Sequence, residues 1–470
     1  MLAACSFAPK LVQPPMPIPL QYKETGTWVA TKPLLAEATA KEPWWMLFHD
    51  RTLNALEMRL SCDNTHLKSA VARYQEARAV AQATRSAKYP TIDGIATVAR
   101  QKDSNTFAGT SGTSARTFNT LLFTAVLNYE VDAWGRVRNA VLASDSLARA
   151  SGYDVAAIGL SVHTELAADY FELRGYDAQQ RVLENTVKAY KKALYLTRER
   201  HKGGLVPVSD VDAALAQWED AKTASSDNRL KRAQLEHAIA VLIGAIPSNF
   251  HLKPTQKSMK LVRVAPELPS TLLVTRPDIA AASERLRAAN AQIGFARAAF
   301  FPQFNLIGLI GVQSSTFSEL FKSNSLIWSL GPSTALTLIQ PEIEQVLFDG
   351  FKLQALLRKA KASYYESVNL YKEGVLVAFR EVEDNLVAIH RLEEEMTTQT
   401  LSTSAAKRAL YQANQQYKGG LVTYLDVVVY ENKSLQSELN LIAIKTRRQL
   451  ASIQLIKALG GGWSRNGSDS

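Results

Sequence analysis

From about Asp50 to Ala87 apolar residues recur at three, four and seven positions, with Leu53, Leu56, Leu60, Leu67, Ala70, Tyr74 and Ala77 on one stripe, and this spacing predicts a helix. Tyr89-Pro90 stops it. Beyond the proline the period drops to two, so residues 91–101 and 118–132 read as strands around a Ser/Thr/Gly-rich loop from Lys102 to Arg116. In the second strand Leu121, Phe123, Ala125, Leu127, Tyr129 and Val131 share one face, while Asn128 and Glu130 take the other. A barrel wall in lipid needs that alternation, and so does an ordinary half-buried hairpin.

From about Gly135 a helical period then runs without proline to Lys202. Leu166, Tyr170, Leu173, Leu183, Val187, Tyr190 and Leu194 alternate four and three positions apart, the spacing of a coiled-coil seam. At 1.5 Å per residue this strut is roughly 100 Å long. The return limb from about Val208 to Gly244 covers roughly 55 Å before Pro247, Pro254, Pro266 and Pro269 break it, and a helix from Pro277 to Ala299 adds roughly 35 Å.

The chain then repeats itself. Lys202-Gly-Gly-Leu-Val206 recurs as Lys418-Gly-Gly-Leu-Val422, an offset of 216 that also relates Ala193-Leu-Tyr195 to Ala409-Leu-Tyr411 and Gly244 to Gly460. Arg73, Ala77, Arg85 and Pro90 recur 212 positions on as Arg285, Ala289, Arg297 and Pro302. Strands are therefore expected again, at 304–312 and near 333–343 around a loop from Gln313 to Trp328, followed by a second strut from about Phe351 to Lys418 and a closing helix from Tyr424 to Leu459. Each paired glycine reads as the tip of a helical hairpin. The expected organisation is an N-terminal start and Pro-rich tether (1–50), a first repeat (51–244), an equatorial segment (245–275), a second repeat (276–460) and a disordered tail (461–470).

Composition narrows what such a chain does. No run of eighteen uncharged apolar residues occurs, so a transmembrane helix is excluded by length and any membrane contact falls to strands or a lipid. The formal charge of +10 is scattered over helical faces without a dense basic run, which argues against nucleic acid. Two cysteines in unlike contexts give no disulfide framework. Leu2-Ala3-Ala4-Cys5 has the small-residue pattern that is cut and acylated in bacterial lipoproteins, and Pro14, Pro15, Pro17 and Pro19 extend a tether behind it. On that reading a signal peptide precedes the cysteine and the start lies further upstream; the bland alternative is a cysteine near a terminus by chance.

Four strands cannot close a barrel, for which about eight are needed, and open edges inside lipid cost several kcal/mol per backbone group. Three chains supply twelve strands, and six helical hairpins around the same axis would continue the barrel as a hollow cylinder. Such an object is a conduit.

Asp132-Ala-Trp-Gly-Arg-Val-Arg138, Arg380-Glu-Val-Glu-Asp384 and both Gly-Leu-Val tips resemble the TolC-like outer-membrane efflux channels, in the acylated branch that serves resistance-nodulation-division pumps. The resemblance spans roughly residues 5 to 463. It implies a mostly helical fold with a membrane β-barrel, a homotrimer with a palmitate-bearing Cys5 in the outer membrane, and a tunnel across the periplasm. A periplasmic adaptor (a membrane fusion protein) and an inner-membrane pump of that class would supply cargo and energy. It further implies that Gly203, Gly204, Leu205, Val206, Gly419, Gly420, Leu421 and Val422 meet the adaptor, and that Asp426, with Tyr417 and Asp210, belongs to a periplasmic gate. The plain alternatives are helix stops at the glycines and first-turn helix acids at Asp426 and Asp210. Val422 stands where some members carry a latching Arg, Val429 where a second gate carboxylate is found, and Phe351 where a second glycine is common.

Enzyme chemistry finds no foothold. His49, His163, His201, His237 and His390 lack metal-ligand spacing, no nucleophile elbow or phosphate loop occurs, and Glu393-Glu394-Glu395 reads as a solvated helix face. No catalytic residue, cofactor or metal is expected. The competing readings are a type I protein-secretion channel and a structural coiled-coil spacer; a spacer has no use for strands that only an oligomer completes. With six methionines, a Met-rich copper or silver path is not indicated.

Overall fold

Asp50 accepts the N–H groups of Thr52 and Leu53 (2.8 and 3.2 Å) and so starts α1, Arg51–Asp63. The computed structural model describes residues 7–12, 14–24, 43–102, 117–255, 261–262, 264, 269–332 and 348–463. The period that predicts one helix over 50–87 is cut at Asn64, whose Oδ1 accepts the Leu67 N–H (2.7 Å) and recaps the chain as α2, Thr65–Ser86. Strands β1 (Thr91–Lys102) and β2 (Thr117–Val131) follow, then α3, Arg136–Lys202, of 67 residues. Asp132 caps α3 by accepting the N–H groups of Val137 and Arg138 (3.1 and 2.9 Å). The return limb is α4 (Val208–Leu242), and after the proline-rich stretch comes α5 (Pro277–Ala298).

The second repeat runs through β3 (Phe304–Ser314), β4 (Leu326–Pro332), α6 (Lys352–Lys418, again 67 residues) and α7 (Tyr424–Ala458). The expected fourth strand is corrected. Residues 326–328, read as loop, open β4, because Leu326, Trp328 and Leu330 alternate with Ile327 and Ser329 and pair antiparallel with Val312, Ile310 and Gly308. The expected strand at 333–343 lies outside the described residues, as do loop residues 103–116 and tail residues 464–470. Phe351 holds φ 69°, a left-handed conformation that costs a non-glycine residue roughly 1–2 kcal/mol, which accounts for glycine being the commoner occupant.

The chain divides into two compact units. One comprises Arg73–Gly152, Ala281–Lys372 and the stretch up to Pro15. It holds the sheet, in order β1-β2-β3-β4, antiparallel throughout. The register puts Ile92, Leu127 and Leu330 on one face with Ala125, Ile310, Trp328, Phe123 and Leu326. The other face is mixed, with Asp93, Thr97, Thr124, Asn128, Gln313 and Ser329 standing among Ile95, Leu122, Val126, Ile307, Leu309 and Ile327. The apolar face is bare: Trp328 is 73% and Leu330 67% exposed. Below the sheet Ala143, Ala288 and Ala291 let α3 and α5 approach closely.

The other unit comprises Met16–Ala72, Tyr153–Ala280 and Glu373–Ser470. Its core is the predicted seam: Leu166, Tyr170, Leu173, Leu183, Tyr190 and Leu194 are buried on α3, as are Val375, Val382, Leu386 and Ile389 on α6. Each such large side chain contributes roughly 2 kcal/mol by leaving water. Both repeats end on one device. Gly244 (φ 66°) closes against the carbonyl of Asp63, and Gly460 (φ 90°) against that of Thr275; an added Cβ would lie 2.6 and 2.0 Å from those oxygens. The next side chain reaches the last turn of the closing helix, Asn64 Nδ2 donating to the Leu242 carbonyl (2.8 Å) and an Arg276 guanidinium nitrogen to that of Ala458 (3.0 Å).

Candidate functional site

The sequence places its strongest functional signal at the hairpin tips, and both tips fold by the same rule. At the end of α3, Gly204 takes φ 72° while its N–H donates to the His201 carbonyl and that of Leu205 to Arg200 (both 2.9 Å). At the end of α6, Gly420 takes φ 75°, with Gly420 N–H on Tyr417 O (3.1 Å) and Leu421 N–H on Gln416 O (2.9 Å). These are Schellman ends, which require a left-handed residue only at the second glycine. The first glycine of each pair is helical, and a Cβ on Gly203 or Gly419 would meet nothing nearer than 3.5 Å. Among the described residues no contact explains why those two positions lack a side chain. Leu205 and Leu421, 75% and 80% exposed, stand at the ends of the hairpins with Val206 and Val422 half-buried beside them.

The restarts differ. Pro207 precedes α4 without a side-chain cap, and Asp210 sits in the first turn, its N–H on the Pro207 carbonyl (3.2 Å). Thr423 and Asp426 instead form a capping box at α7. Asp426 Oδ2 accepts the Thr423 N–H (2.9 Å) and hydroxyl (2.7 Å), while Asp426 N–H donates to Thr423 Oγ1 (3.4 Å). The Thr423 hydroxyl, then its N–H, hold the exposed Asp426 carboxyl below the ordinary aspartate value. Asp426 is therefore ionised at neutral pH and already serves the helix start, whatever else it does.

Tyr417 joins the two hairpins. Its ring lies under the Arg200 guanidinium, 4.4 Å from centroid to Cζ, and tilts against Tyr424 at 5.8 Å. Both tyrosines belong to a cluster with Leu194, Ala214 and Val428. Neither Asp210 nor Asp426 is hydrogen-bonded to Tyr417 among the described residues. Higher up, Asn432 on α7 meets Gln217 of α4 and the Tyr190 hydroxyl of α3 (3.4 Å to the latter). Sequence reading missed Arg200 and this amide bridge, because both depend on how two helices separated by more than two hundred residues are phased.

Cys5 lies outside the described residues, but the chain just after it is fixed. Phe7 stacks on Phe301 (4.5 Å, 7°) and lies 6.1 Å from Trp134, whose indole N–H donates to the Pro302 carbonyl (2.8 Å). Arg297 donates to the Phe7 carbonyl (3.1 Å) and Asn290 to that of Pro9 (2.9 Å). Phe301 and Trp134 are the residues at which helix gives way to strand, so Phe7 belongs to an aromatic girdle at the foot of the sheet.

Known proteins share this arrangement. The model of the family described as outer membrane efflux protein matches residues 59–245 and 268–461. Outer membrane protein OprJ of Pseudomonas aeruginosa is 30% identical over 475 residues, covering 99% of this chain and 95% of its own. The cation efflux system protein CusC of Escherichia coli is 28% identical over 468 residues, covering 99% and 97%. Among solved structures, a membrane protein from Pseudomonas aeruginosa superposes with a TM-score of 0.88 at 28% identity, over 98% of both chains.

Proposed function

This chain belongs to the outer membrane efflux protein family, and on that premise we propose that three copies of it close into one exit duct, fed from the periplasmic side by an adaptor and an inner-membrane pump. As an outer-membrane efflux channel it is a passive conduit and not an enzyme, and the energy for transport comes from its partners. The observation that carries the trimer is the sheet. Four strands leave the outer edges of β1 and β4 without a partner strand among the described residues, and the apolar face between them is bare. Three copies joined edge to edge give twelve strands, satisfy those backbone groups and turn Trp328, Ile310 and Ile92 to lipid. The opposite face, where Asp93, Thr97, Thr124, Asn128 and Gln313 stand among apolar neighbours, then lines the lumen, and the long hairpins carry the passage across the periplasm.

Two features support the lipid anchor. Cys5 precedes by two residues Phe7, whose ring stacks on Phe301 in the aromatic cluster beside the sheet, so an acyl chain on it would start close in sequence to a membrane-facing segment. The small-residue sequence before Cys5 fits acylation. Loss of lipid labelling in Cys5→Ser, with labelling in the wild type, is the expected result; an unlabelled wild type removes the anchor.

The tips are read as the adaptor contact. Leu205 and Leu421 offer bare apolar ends, and the helical Gly203 and Gly419 leave room for a partner backbone to come close. Asp426, ringed three times around a narrow axis, would favour cations at the gate. Asp210 and Tyr417 are assigned to the same closed end, Tyr417 through Arg200 and without a latch at Val422. The cargo is small toxic compounds delivered by a pump of the resistance-nodulation-division class. In cells carrying the matching pump and adaptor, Leu205→Asp with Leu421→Asp should abolish efflux and adaptor cross-linking while the purified channel keeps its three-chain mass. Unchanged efflux and cross-linking would remove the tip assignment.

A further inference from the structure

Between α3 of the first hairpin and α6 and α7 of the second, about 18 Å from the tips at the helical rise per residue, lies a cavity of about 320 Å³. Val182, Ala189, Leu410 and Leu435 give it an apolar side, beside the neutral polar Asn185, Thr186, Tyr190 and Ser434. Three charged groups line it, and two of them are spoken for: Lys407 Nζ pairs with Glu438 Oε2 at 2.9 Å. The third is Glu431, whose Oε2 is enclosed without a hydrogen-bond partner. Enclosing an ionised carboxylate oxygen with nothing to meet it costs several kcal/mol, which either a proton or a cation brought into the cavity relieves.

We propose that this cavity binds an amphiphilic organic monocation, its positive group paired with Glu431 and its apolar body against Val182, Ala189, Leu410 and Leu435. The chemistry of the donor set selects that class. A divalent metal takes several charged oxygen ligands, whereas here one carboxylate oxygen is without a partner and the rest of the lining mixes apolar side chains with the neutral Asn185, Thr186, Tyr190 and Ser434. An anion would face Glu431 and Glu438 with only the engaged Lys407 to hold it. The volume lies at the small end of ligand pockets and suits a single-ring or two-ring amine. Such a ligand would touch both hairpins at once, joining helices that separate sequences also tie through Asn432 and Gln217.

The site's own acid supports the assignment. Burial pushes the Glu431 carboxyl up to about 7, so a bound cation, which needs it ionised, displaces a proton near neutral pH. The other titratable groups facing it are Tyr190 on α3, Lys407 on α6, and Glu438 and Tyr424 on α7; burial raises the two tyrosines and keeps them neutral, and Lys407 is paired with Glu438. Affinity should therefore rise about tenfold between pH 6 and pH 8.

The proposal stands apart from the duct reading and is tested by binding alone. The full chain, purified in a non-ionic detergent, is titrated with the monocation 4-(4-dimethylaminostyryl)-N-methylpyridinium, which brightens when held in an apolar site. Saturable binding is expected, weakened tenfold or more by Glu431→Gln and abolished by Ala189→Phe, which fills the cavity. Both variants should keep the wild-type helical circular dichroism and oligomer mass. Absence of saturable binding to the wild type overturns the proposal, as does equal affinity in Glu431→Gln or equal binding of the uncharged, unmethylated dye.

Discussion

Asn64 and Arg276 hold the same place in the two repeats, just after a helix end that a left-handed glycine closes upon, and each donates to the last turn of the helix that ends there. Beyond that shared contact the two sites diverge. Asn64 is short and stops at two neutral bonds. Arg276, 7% exposed, goes on to Asp278 (2.6 Å) and Glu381 (2.7 Å), an ionic knot binding α5, α6 and the end of α7. The counterpart of Glu381 is Glu165, which is exposed. Near Asn64 the first repeat buries an uncharged pair instead: Glu57 meets His163 Nδ1 at 2.6 Å under the stacked ring of Trp45. The backbone solution survived duplication because glycine alone satisfies it, while the polar filling around it was free to change sign and size.

The strongest test of the shared part is Gly460→Ala, which puts a methyl 2.0 Å from the Thr275 carbonyl at φ 90° and should cost about 4 kcal/mol in thermal unfolding followed by circular dichroism. Gly244→Ala, with 2.6 Å to spare, should cost about 3 kcal/mol; a tolerated alanine at either site would break the equivalence. Next comes the divergent part. Arg276→Met leaves two partly exposed carboxylates unpaired and should lose about 3 kcal/mol, against about 1–2 kcal/mol for Asn64→Ala, with salt sensitivity only in the first.

The Glu57–His163 pair gives a pH signature. Burial raises Glu57 from 4.5 to about 9, so the stability it contributes is full below 4.5 and is lost as pH rises towards 9. Burial lowers His163 from 6.5 to about 4, so its contribution is lost as pH falls from 6.5 towards 4. Glu57→Gln keeps a donor for His163 and should match the wild type near pH 5 while exceeding it by about 2 kcal/mol at pH 6.5 and by more at pH 8, measured by paired melts. A parallel pH profile in the variant would show that Glu57 does not titrate as described. The smallest effect belongs to the tips. Thr423→Ala should cost about 1 kcal/mol of local stability at residues 426–428 by amide exchange, whereas Pro207→Ala, with no cap to lose, should leave the first tip unchanged.

Much of this fold was legible because glycine and proline punctuate it. The struts begin and end within a residue or so of the expected positions, since Gly135, Lys202-Gly203, Gly350 and Lys418-Gly419 mark where a helix starts or stops. The break at Asn64 was not legible, because a helix capped and restarted within two residues leaves the apolar period nearly intact. The start of β4 at Leu326 was not legible because it follows Phe317, Leu320 and Phe321, apolar residues in a loop that carry no alternation of their own. At the tips the glycines and leucines were found from the repeat, and Asp426 was legible as a first-turn helix acid while its capping box with Thr423 was not. Arg200, Glu57 and Glu431 were not found, for what singles them out is the helix packed against them and nothing in their own neighbourhood of sequence.

Closing the barrel from three copies requires that β1 of one copy pair with β4 of the next. Cysteines placed in pairs on the apolar face, one from Ile92, Gly94 or Ala96 and one from Leu326, Trp328 or Leu330, in a Cys62→Ser background, measure it by oxidation and non-reducing electrophoresis of membranes. Bands at two and three chain masses, strongest for one register, are the predicted result. A single-chain band for every pair, in protein that reaches the outer membrane, would contradict it.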